Sequence, residues 1–408
     1  MKRYQWMGIM LSLVLLLCSC GTDKEVEKKA GESTSTPSAT ASVMPLISED
    51  EAFSEAEKIV KTMTIEQKVG QMFLVDLLQL DASPSVDGTA YKATDSMKQA
   101  IIDYHLGGVY LTKENIKSQK QTKKLVQNLQ ASVVSGSALY VAVEEDGGGE
   151  NSISAKVEDL KDTGYVTPKE MGQNMTANQI YESGKTIAGE LTKIGINLNL
   201  APVADLASDQ NPSYAMRCLG SDADGVADLL DDFVSGMREG GLSVTLKTFP
   251  GIGNVSADVT ESIAENTDSL MTIRDTNFVP YASGIQAGAD CVMVSNAAYS
   301  KLTVKKVPAF MSQDIVTKLL REELGFDGIV MTSPLNDNVI ENNYTNEFAV
   351  VEAVKAGCDL IVLPGNFKEC YEALITAVEE GRIDEKVINT SVRRILQNKI
   401  QRGILVLE

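Results

Sequence analysis

Three short stretches of this chain hold the residue types that could do chemistry. Glu144-Glu145-Asp146 heads a glycine run, Gly147-Gly148-Gly149. Lys247-Thr248-Phe249-Pro250-Gly251-Ile252-Gly253 leads on through Asp258 to Thr260. Thr332-Ser333-Pro334-Leu335 offers a hydroxyl at Ser333 and is followed by Asp337, while Arg217 supplies a further cation. The carboxyl groups among these residues, Glu144, Asp258 and Asp337, can serve as nucleophile or proton donor. A serine hydroxyl attacks poorly at neutral pH unless a base takes its proton, and threonine does not titrate there. Histidine, the side chain suited to shuttle protons near pH 7, occurs once, at His105.

Other chemistries lack their residues. The six cysteines, Cys18, Cys20, Cys218, Cys291, Cys358 and Cys370, form no C-x-x-C pair and no Cys/His cluster at metal-ligand spacing. Cys291 and Cys358 adjoin apolar runs and read as buried free thiols. The glycine run lacks the P-loop lysine and the G-x-G-x-x-G spacing. Neither a metal nor a cofactor is expected. A net charge of -19 and a pI near 4.6 argue against nucleic acid, whose phosphates require a basic face.

Positioning these groups falls to a chain that alternates apolar strand-like runs with amphipathic helical stretches. The strand candidates are 71–76, 107–111, 139–144, 196–200, 243–247, 290–295, 328–332 and 360–363. Several are apolar throughout, as parallel strands buried on both faces are. Between them lie helices such as 225–239 and 312–324. In the first, Val226, Leu229, Leu230, Phe233 and Met237 recur at the spacing of one helix face. Eight such units predict an α/β fold, a single-domain (β/α)8 TIM barrel, with an open doubly wound sheet as the alternative. His105 precedes the second strand, on the side away from a barrel's functional face, and reads as structural.

The N-terminus reads as an export signal. Lys2 and Arg3 precede an apolar stretch, Met7 to Leu17, too short to span a membrane comfortably as a helix. Leu17-Cys18-Ser19-Cys20 resembles a bacterial lipobox, with Cys20 as the lipidation site and residues 1–19 removed. Loss of Lys2 and Arg3 takes the net charge from -19 to -21. Residues 20–48, rich in Lys, Glu, Ser, Thr and Ala, read as a disordered tether. The barrel then occupies 49–408, outside the cytoplasm and lipid-anchored to the membrane.

Several motifs carry a family resemblance. Lys247 to Thr260 resembles K-H-F-P-G-H-G followed by D-S-H, a motif of the family 3 glycoside hydrolases in their bacterial β-N-acetylhexosaminidase branch. Met63 to Met72, Leu106-Gly107-Gly108-Val109, Ile196 to Asp205, Arg217 to Asp222, Leu320 to Gly328 and Arg393-Arg394-Ile395-Leu396 resemble further family segments in the same order. The resemblance implies the barrel, without the second domain that some members carry.

It also assigns roles. Retaining glycoside hydrolysis needs a carboxylate nucleophile and a proton donor. The family nucleophile is the Asp of T-D-x-L, and Ser333 stands in its place. The family acid/base is an Asp–His pair; Asp258 matches the Asp, and Thr260 replaces the His. Thr248 and Ile252 replace two further histidines. Lys247, Arg217 and Glu144 match sugar-contacting positions, with Asp146 at the Glu of D-x-E-G-G. Ser152 stands where the family has an Arg, and Asn296 falls near a position that is often His. The surviving charges are either a retained sugar site or a leftover ion-pair network. The resemblance implies a relative with degenerate catalytic residues that binds cell-wall glycan, an N-acetylglucosamine-containing sugar or a partner protein. The alternatives are an active glycosidase rewired around Asp258, Asp337 or Glu144, and a structural surface module.

Overall fold

Eight short runs pair side by side in chain order. In the computed structural model, which describes residues 47–85, 87–133, 137–148, 153 and 166–407, they are β1 (Phe73–Asp76), β2 (Gly108–Tyr110), β3 (Tyr140–Val143), β4 (Leu198–Asn199), β5 (Ser243–Phe249), β7 (Cys291–Val294), β9 (Ile329–Thr332) and β10 (Ile361–Val362). The signal segment 1–19, Cys20, nearly all of the tether and Ser152 lie outside the described residues.

Every neighbouring pair is parallel, with registers such as Val109↔Val141, Leu198↔Ser243 and Val292↔Val330. β10 pairs with β1 through Phe73↔Ile361. The ring closes onto β9 by the Met331↔Leu360 bridge and a Thr332 N–H to Leu360 carbonyl bond of 3.1 Å. Closure decides between the two expected architectures: the fold is a (β/α)8 barrel and not an open sheet. β3, β7 and β9 are buried along their whole length, which is why their sequences are apolar without alternation.

The helices follow the expected faces. The helix Ala223–Glu239 starts two residues earlier than its apolar pattern suggests, because the Asp222 carboxylate caps it by accepting from Gly225 N at 2.9 Å. Its Val226, Leu230, Phe233 and Met237 are buried. The stretch expected as an α-helix over 312–324 is instead wound as a π-type helix, Asp314–Glu323. Its last turn is closed by Leu324 N on the Leu319 carbonyl at 3.0 Å, five residues back. Apolar periodicity does not separate these windings over so short a span. One feature had no sequence signal: the two-residue strands β6 (Glu265–Asn266) and β8 (Ala298–Tyr299) pair in parallel, joining the loops that follow β5 and β7.

The N-terminal end of the barrel is stoppered by the helix Glu385–Gln401. Lys399 Nζ donates to Gln71 Oε1 at 2.9 Å and to the Gly107 carbonyl at 2.8 Å, and lies 4.8 Å from the centre of the Tyr140 ring. Tyr140 OH donates to Asn398 Oδ1 at 2.7 Å. Burial pushes the Lys399 ammonium down to about 7. His105 sits at this end, just before β2, and its carbonyl accepts from Gln71 Nε2 at 2.7 Å. Cys218, Cys291, Cys358 and Cys370 are buried free thiols. The chemistry-bearing residues therefore gather at the opposite rim.

Candidate functional site

Four oppositely charged side chains meet at the C-terminal ends of β3 and β5. Glu144 and Asp146 follow β3, and Asn199 of β4 fixes the loop between them. Its side chain accepts from Glu145 N and donates to the Glu145 carbonyl, each at 2.9 Å. Gly147, at φ +106°, then turns the chain away. Lys247 comes from β5, and Arg217 from the short 3-10 turn Tyr214–Arg217. Lys247 Nζ lies 2.7 Å from Glu144 Oε1 and 2.7 Å from Asp146 Oδ1. The second contact is a charge contact only, since Asp146 Oδ1 makes no directed hydrogen bond. Arg217 Nε donates to Asp146 Oδ2 at 2.7 Å, and its Nη2 reaches Glu144 Oε1. The four charges pair with one another, as either reading of them requires.

Electrostatics follow from that geometry. The Lys247 side chain is only 3% exposed, and an unpaired ammonium is not tolerated at such a depth. Burial works to raise the Glu144 carboxyl, but Lys247 and Arg217 outweigh it and hold the group down at about 2. Burial works against the Arg217 charge, and Asp146 and Glu144 reverse it, driving its pKa well up. The Glu144 carboxylate is thus an acceptor at neutral pH. On the same rim, burial raises Asp76 at the end of β1. Burial, with Glu144 and Asp146, likewise pushes Tyr110 far up.

Beneath the cage lies a buried hub that residue-level reading did not single out. Asp205 is fully buried and accepts from five donors. They are Thr248 N at 3.2 Å, Thr248 Oγ1 at 3.1 Å, Ile252 N at 3.1 Å, Tyr214 OH at 3.0 Å and Tyr281 OH at 3.0 Å. The Tyr214 ring in turn lies 5.5 Å from the Arg217 guanidinium. Asp205 therefore ties the segment bearing Lys247 to the turn bearing Arg217. Its one sequence signal was position: it closely follows a barrel strand on the functional side.

The glycines of the same segment are demanded by its path. Gly251 sits at φ +116°, and a Cβ there would fall 1.8 Å from Asn277 Nδ2. A Cβ on Gly253 would fall 1.9 Å from the Leu206 carbonyl oxygen.

Ser333, Asp258 and Thr260, the positions matched to the family's catalytic residues, lie past the C-terminal ends of β9 and β5. Ser333 is 5% exposed and follows β9; its N–H donates to the Val294 carbonyl at 2.9 Å. Among the described residues no base accepts a proton from Ser333 Oγ. Thr260 Oγ1 donates to Asp258 Oδ1 at 2.7 Å and Thr260 N to the same oxygen at 2.9 Å. The pair forms a local turn in which the Thr260 hydroxyl is spent on Asp258. Thr248 spends its hydroxyl on Asp205, and Ile252 is buried.

Asp337 lies on the same rim. It follows β9, and Asn296, which follows β7, donates to its Oδ2 at 2.9 Å. Burial, then the charges of Glu144, Asp258 and Glu261, push the Asp337 carboxyl up to about 7. No signal in its own neighbourhood of the sequence could have shown this, because the charges responsible come from two other loops. Among the described residues no cluster of three His, Cys, Asp or Glu side chains is placed to hold a metal ion.

This geometry can be set beside known proteins. Residues 64–398 match the family model described as the glycosyl hydrolase family 3 N terminal domain. A curated relative, beta-hexosaminidase A of Pseudoalteromonas piscicida, is 26% identical over 369 residues, covering 83% of this chain and 61% of the relative. Among solved structures, a family 3 beta-N-acetylglucosaminidase from Paenibacillus sp. str. FPU-7 aligns with a TM-score of 0.75 at 29% identity. The alignment covers 85% of this chain and 64% of that one. The beta-N-acetylhexosaminidase of Beutenbergia cavernae aligns with a TM-score of 0.71 at 28% identity, over 83% of this chain and 98% of that one. The chain thus spans less than two thirds of the Pseudoalteromonas and Paenibacillus proteins.

Proposed function

The chain belongs to glycosyl hydrolase family 3 through its N-terminal domain; from that premise we propose a β-N-acetylhexosaminidase-type barrel that binds N-acetylglucosamine-containing envelope glycan without cleaving it by the family mechanism. One observation carries this reading. Ser333 and Thr260 stand where the nucleophile and the proton shuttle are needed, while the charged cage beside them, Glu144, Asp146, Arg217 and Lys247, is fully assembled. A hydroxyl without a base neither attacks an anomeric carbon nor offsets the positive charge of an oxocarbenium-like transition state. The cage presents carboxylate acceptors and cationic donors of the kind that grip sugar hydroxyls. In this reading Cys20 carries the lipid that holds the barrel near the cell wall.

A second reading has its own support. Asp337 at about 7 and Glu144 at about 2 are two carboxyls whose surroundings set them far apart, the pattern of an acid beside a permanently ionised partner. One experiment separates the readings. The chain, purified away from host hydrolases, is given an aryl N-acetyl-β-glucosaminide, and binding of N-acetylglucosamine oligomers is measured in the same sample. Binding without turnover is expected. Turnover that disappears in Asp258→Asn or Asp337→Asn would overturn the non-catalytic reading and install the second.

A further inference from the structure

At the N-terminal end of the barrel, away from the charged cage, lies a cavity of about 630 Å³. The helix Ala223–Glu239 brings Arg238 to its wall near its last turn, and the helix Glu385–Gln401 brings Arg393 and Arg394, with Arg402 directly after it. The segments entering β7 and β9 contribute Asp290 and Asp327, and the helix Glu49–Thr62 contributes Phe53. Four guanidinium groups thus line one cavity in a chain whose net charge is -19.

The four are not held alike. Arg402 Nε donates to Asp290 Oδ1 at 2.9 Å, and its Nη2 donates to Oδ1 at 2.8 Å and to Oδ2 at 2.7 Å. Arg394 Nη1 reaches Asp359 Oδ1 at 3.3 Å. Arg238 and Arg393 have no carboxylate partner among the described residues. Arg238 Nη1 donates to the Gly288 carbonyl, packed so closely on Gly288, at φ +93°, that a Cβ there would strike it. Arg393 Nη1 donates to Gln397 Oε1 at 2.9 Å, and its guanidinium lies 4.4 Å from the centre of the Phe53 ring. The Nε and Nη2 groups of both arginines make no hydrogen bond among the described residues. Burial pulls both pKa values down; the like charges of Arg402 and Arg394 add to this, and Asp290 offsets it only in part at Arg238. Of the carboxylates on the wall, Asp290 is spent on Arg402, while Glu49 and Asp327 are exposed.

Two cations without counter-ions call for a dianion. A carboxylate carries one negative charge. A phosphate monoester carries about two at pH 7, on three oxygens that suit the guanidinium fork. The cavity has the size of a small-molecule site, and Phe53, Ile285 and Phe326 give it apolar surface. The complement is therefore a phosphate on an organic body.

We propose that this cavity binds a phosphate monoester of an organic molecule, with Arg238 and Arg393 as its counter-ions and the apolar wall against its body. Soluble phosphate esters and the headgroup of phosphatidic acid both offer that chemistry. The site is independent of the glycan reading, because it lies at the other end of the barrel.

The test is calorimetric titration of the full chain with phenyl phosphate, dihexanoyl phosphatidic acid, inorganic phosphate and benzoate. Phenyl phosphate is expected to bind, and benzoate to bind about tenfold more weakly, because it leaves one guanidinium unanswered. Arg238→Met and Arg393→Met keep the apolar stem and are each expected to lose about tenfold, as loss of a charge-assisted hydrogen bond commonly does. Asp327→Asn removes an exposed carboxylate from the wall and is expected to tighten phenyl phosphate about twofold. Tighter binding of dihexanoyl phosphatidic acid than of phenyl phosphate would assign the site to a lipid headgroup, and the reverse order to a soluble ester. The proposal is overturned if neither ester binds at millimolar concentration, or if inorganic phosphate or benzoate binds as tightly as the esters. It is equally overturned if both Met variants, shown folded by their melting curves, bind phenyl phosphate as wild type does. Should the Met variants fail to fold, Asp327→Asn decides, and unchanged or weaker binding there sinks the site.

Discussion

Replacing Asp205 by alanine tests whether the buried hub holds the site together. The carboxylate accepts from two backbone N–H groups and three hydroxyls. Ile252, at 4% exposure, and Tyr281, at 0%, have nowhere else to donate. Thr248 and Tyr214 are only half-buried, and their hydroxyls already lie 3.2 Å apart, so they can satisfy each other or water. Two stranded donors at about 1–3 kcal/mol each give a cost of about 4 kcal/mol. Relief from burying the charge offsets part of this, since burial raises the Asp205 pKa against the pull of its donors. The expected net loss is about 3 kcal/mol in urea unfolding, read as a lower midpoint at unchanged slope. Tyr281→Phe, which removes one donor and leaves the carboxylate, should cost about 1 kcal/mol. The pair should couple by more than about 1 kcal/mol in a double-mutant cycle. The sign with pH follows from the raised pKa. Between the unfolded value of 3.8 and the higher folded one, the folded state holds more protons, so this group's contribution to stability declines as pH rises through that window. Asp205→Ala should lack that component. A loss below about 1 kcal/mol, or additivity with Tyr281→Phe, would refute the hub as the element that joins the Lys247 segment to the Arg217 turn.

Two further tests concern the opposite end of the barrel and the positions Ser333 and Thr260. The Lys399 pKa is lowered from 10.5 to about 7, so between those values the folded state binds fewer protons than the unfolded chain. Stability should rise with pH through that window and be lowest below pH 7, by up to roughly 5 kcal/mol at about 1.4 kcal/mol per unit. Lys399→Met should flatten the profile while costing stability at pH 10, where Gln71 Oε1 and the Gly107 carbonyl lose their donor; a retained slope would exclude Lys399 as its source. At the rim, Ser333→Asp combined with Thr260→His returns both missing groups beside Asp258, and should produce turnover of an aryl N-acetyl-β-glucosaminide that neither single variant shows. A double variant that binds sugar and remains inert would mean that the chemistry is blocked by more than these two side chains.

How much of this was legible in the sequence depends on where the cause of each feature lies. The barrel was legible because its causes are local and repeated: β3, β7 and β9 are apolar since both faces are covered, and Val226, Leu230, Phe233 and Met237 mark one helix face. The π-type winding of Asp314–Glu323 and the β6–β8 ladder were not legible, because hydrogen-bond register and two-residue pairings leave no period to read. Glu144, Arg217 and Lys247 could be named from the motifs, yet only the distances show that they meet in one ion-pair cage with Asp146.

The same division explains how the site's motif keeps its backbone path with Thr248, Ile252 and Thr260 where the resembling motif has histidines. Gly251 and Gly253 are held by backbone and side-chain atoms that a Cβ would strike, and the adjoining segment hangs on Asp205. None of those constraints involves the proton chemistry of the replaced positions. Thr248 even inherits a structural task, donating its hydroxyl to Asp205. A motif of this kind therefore identifies the path of the backbone, and not by itself the reaction. Chemistry has to be read instead from groups whose environment is assembled from several loops. Asp337 is the example: its elevated pKa arises from burial and from Glu144, Asp258 and Glu261, residues separated from it by whole strands and helices and joined to it only by closure of the barrel.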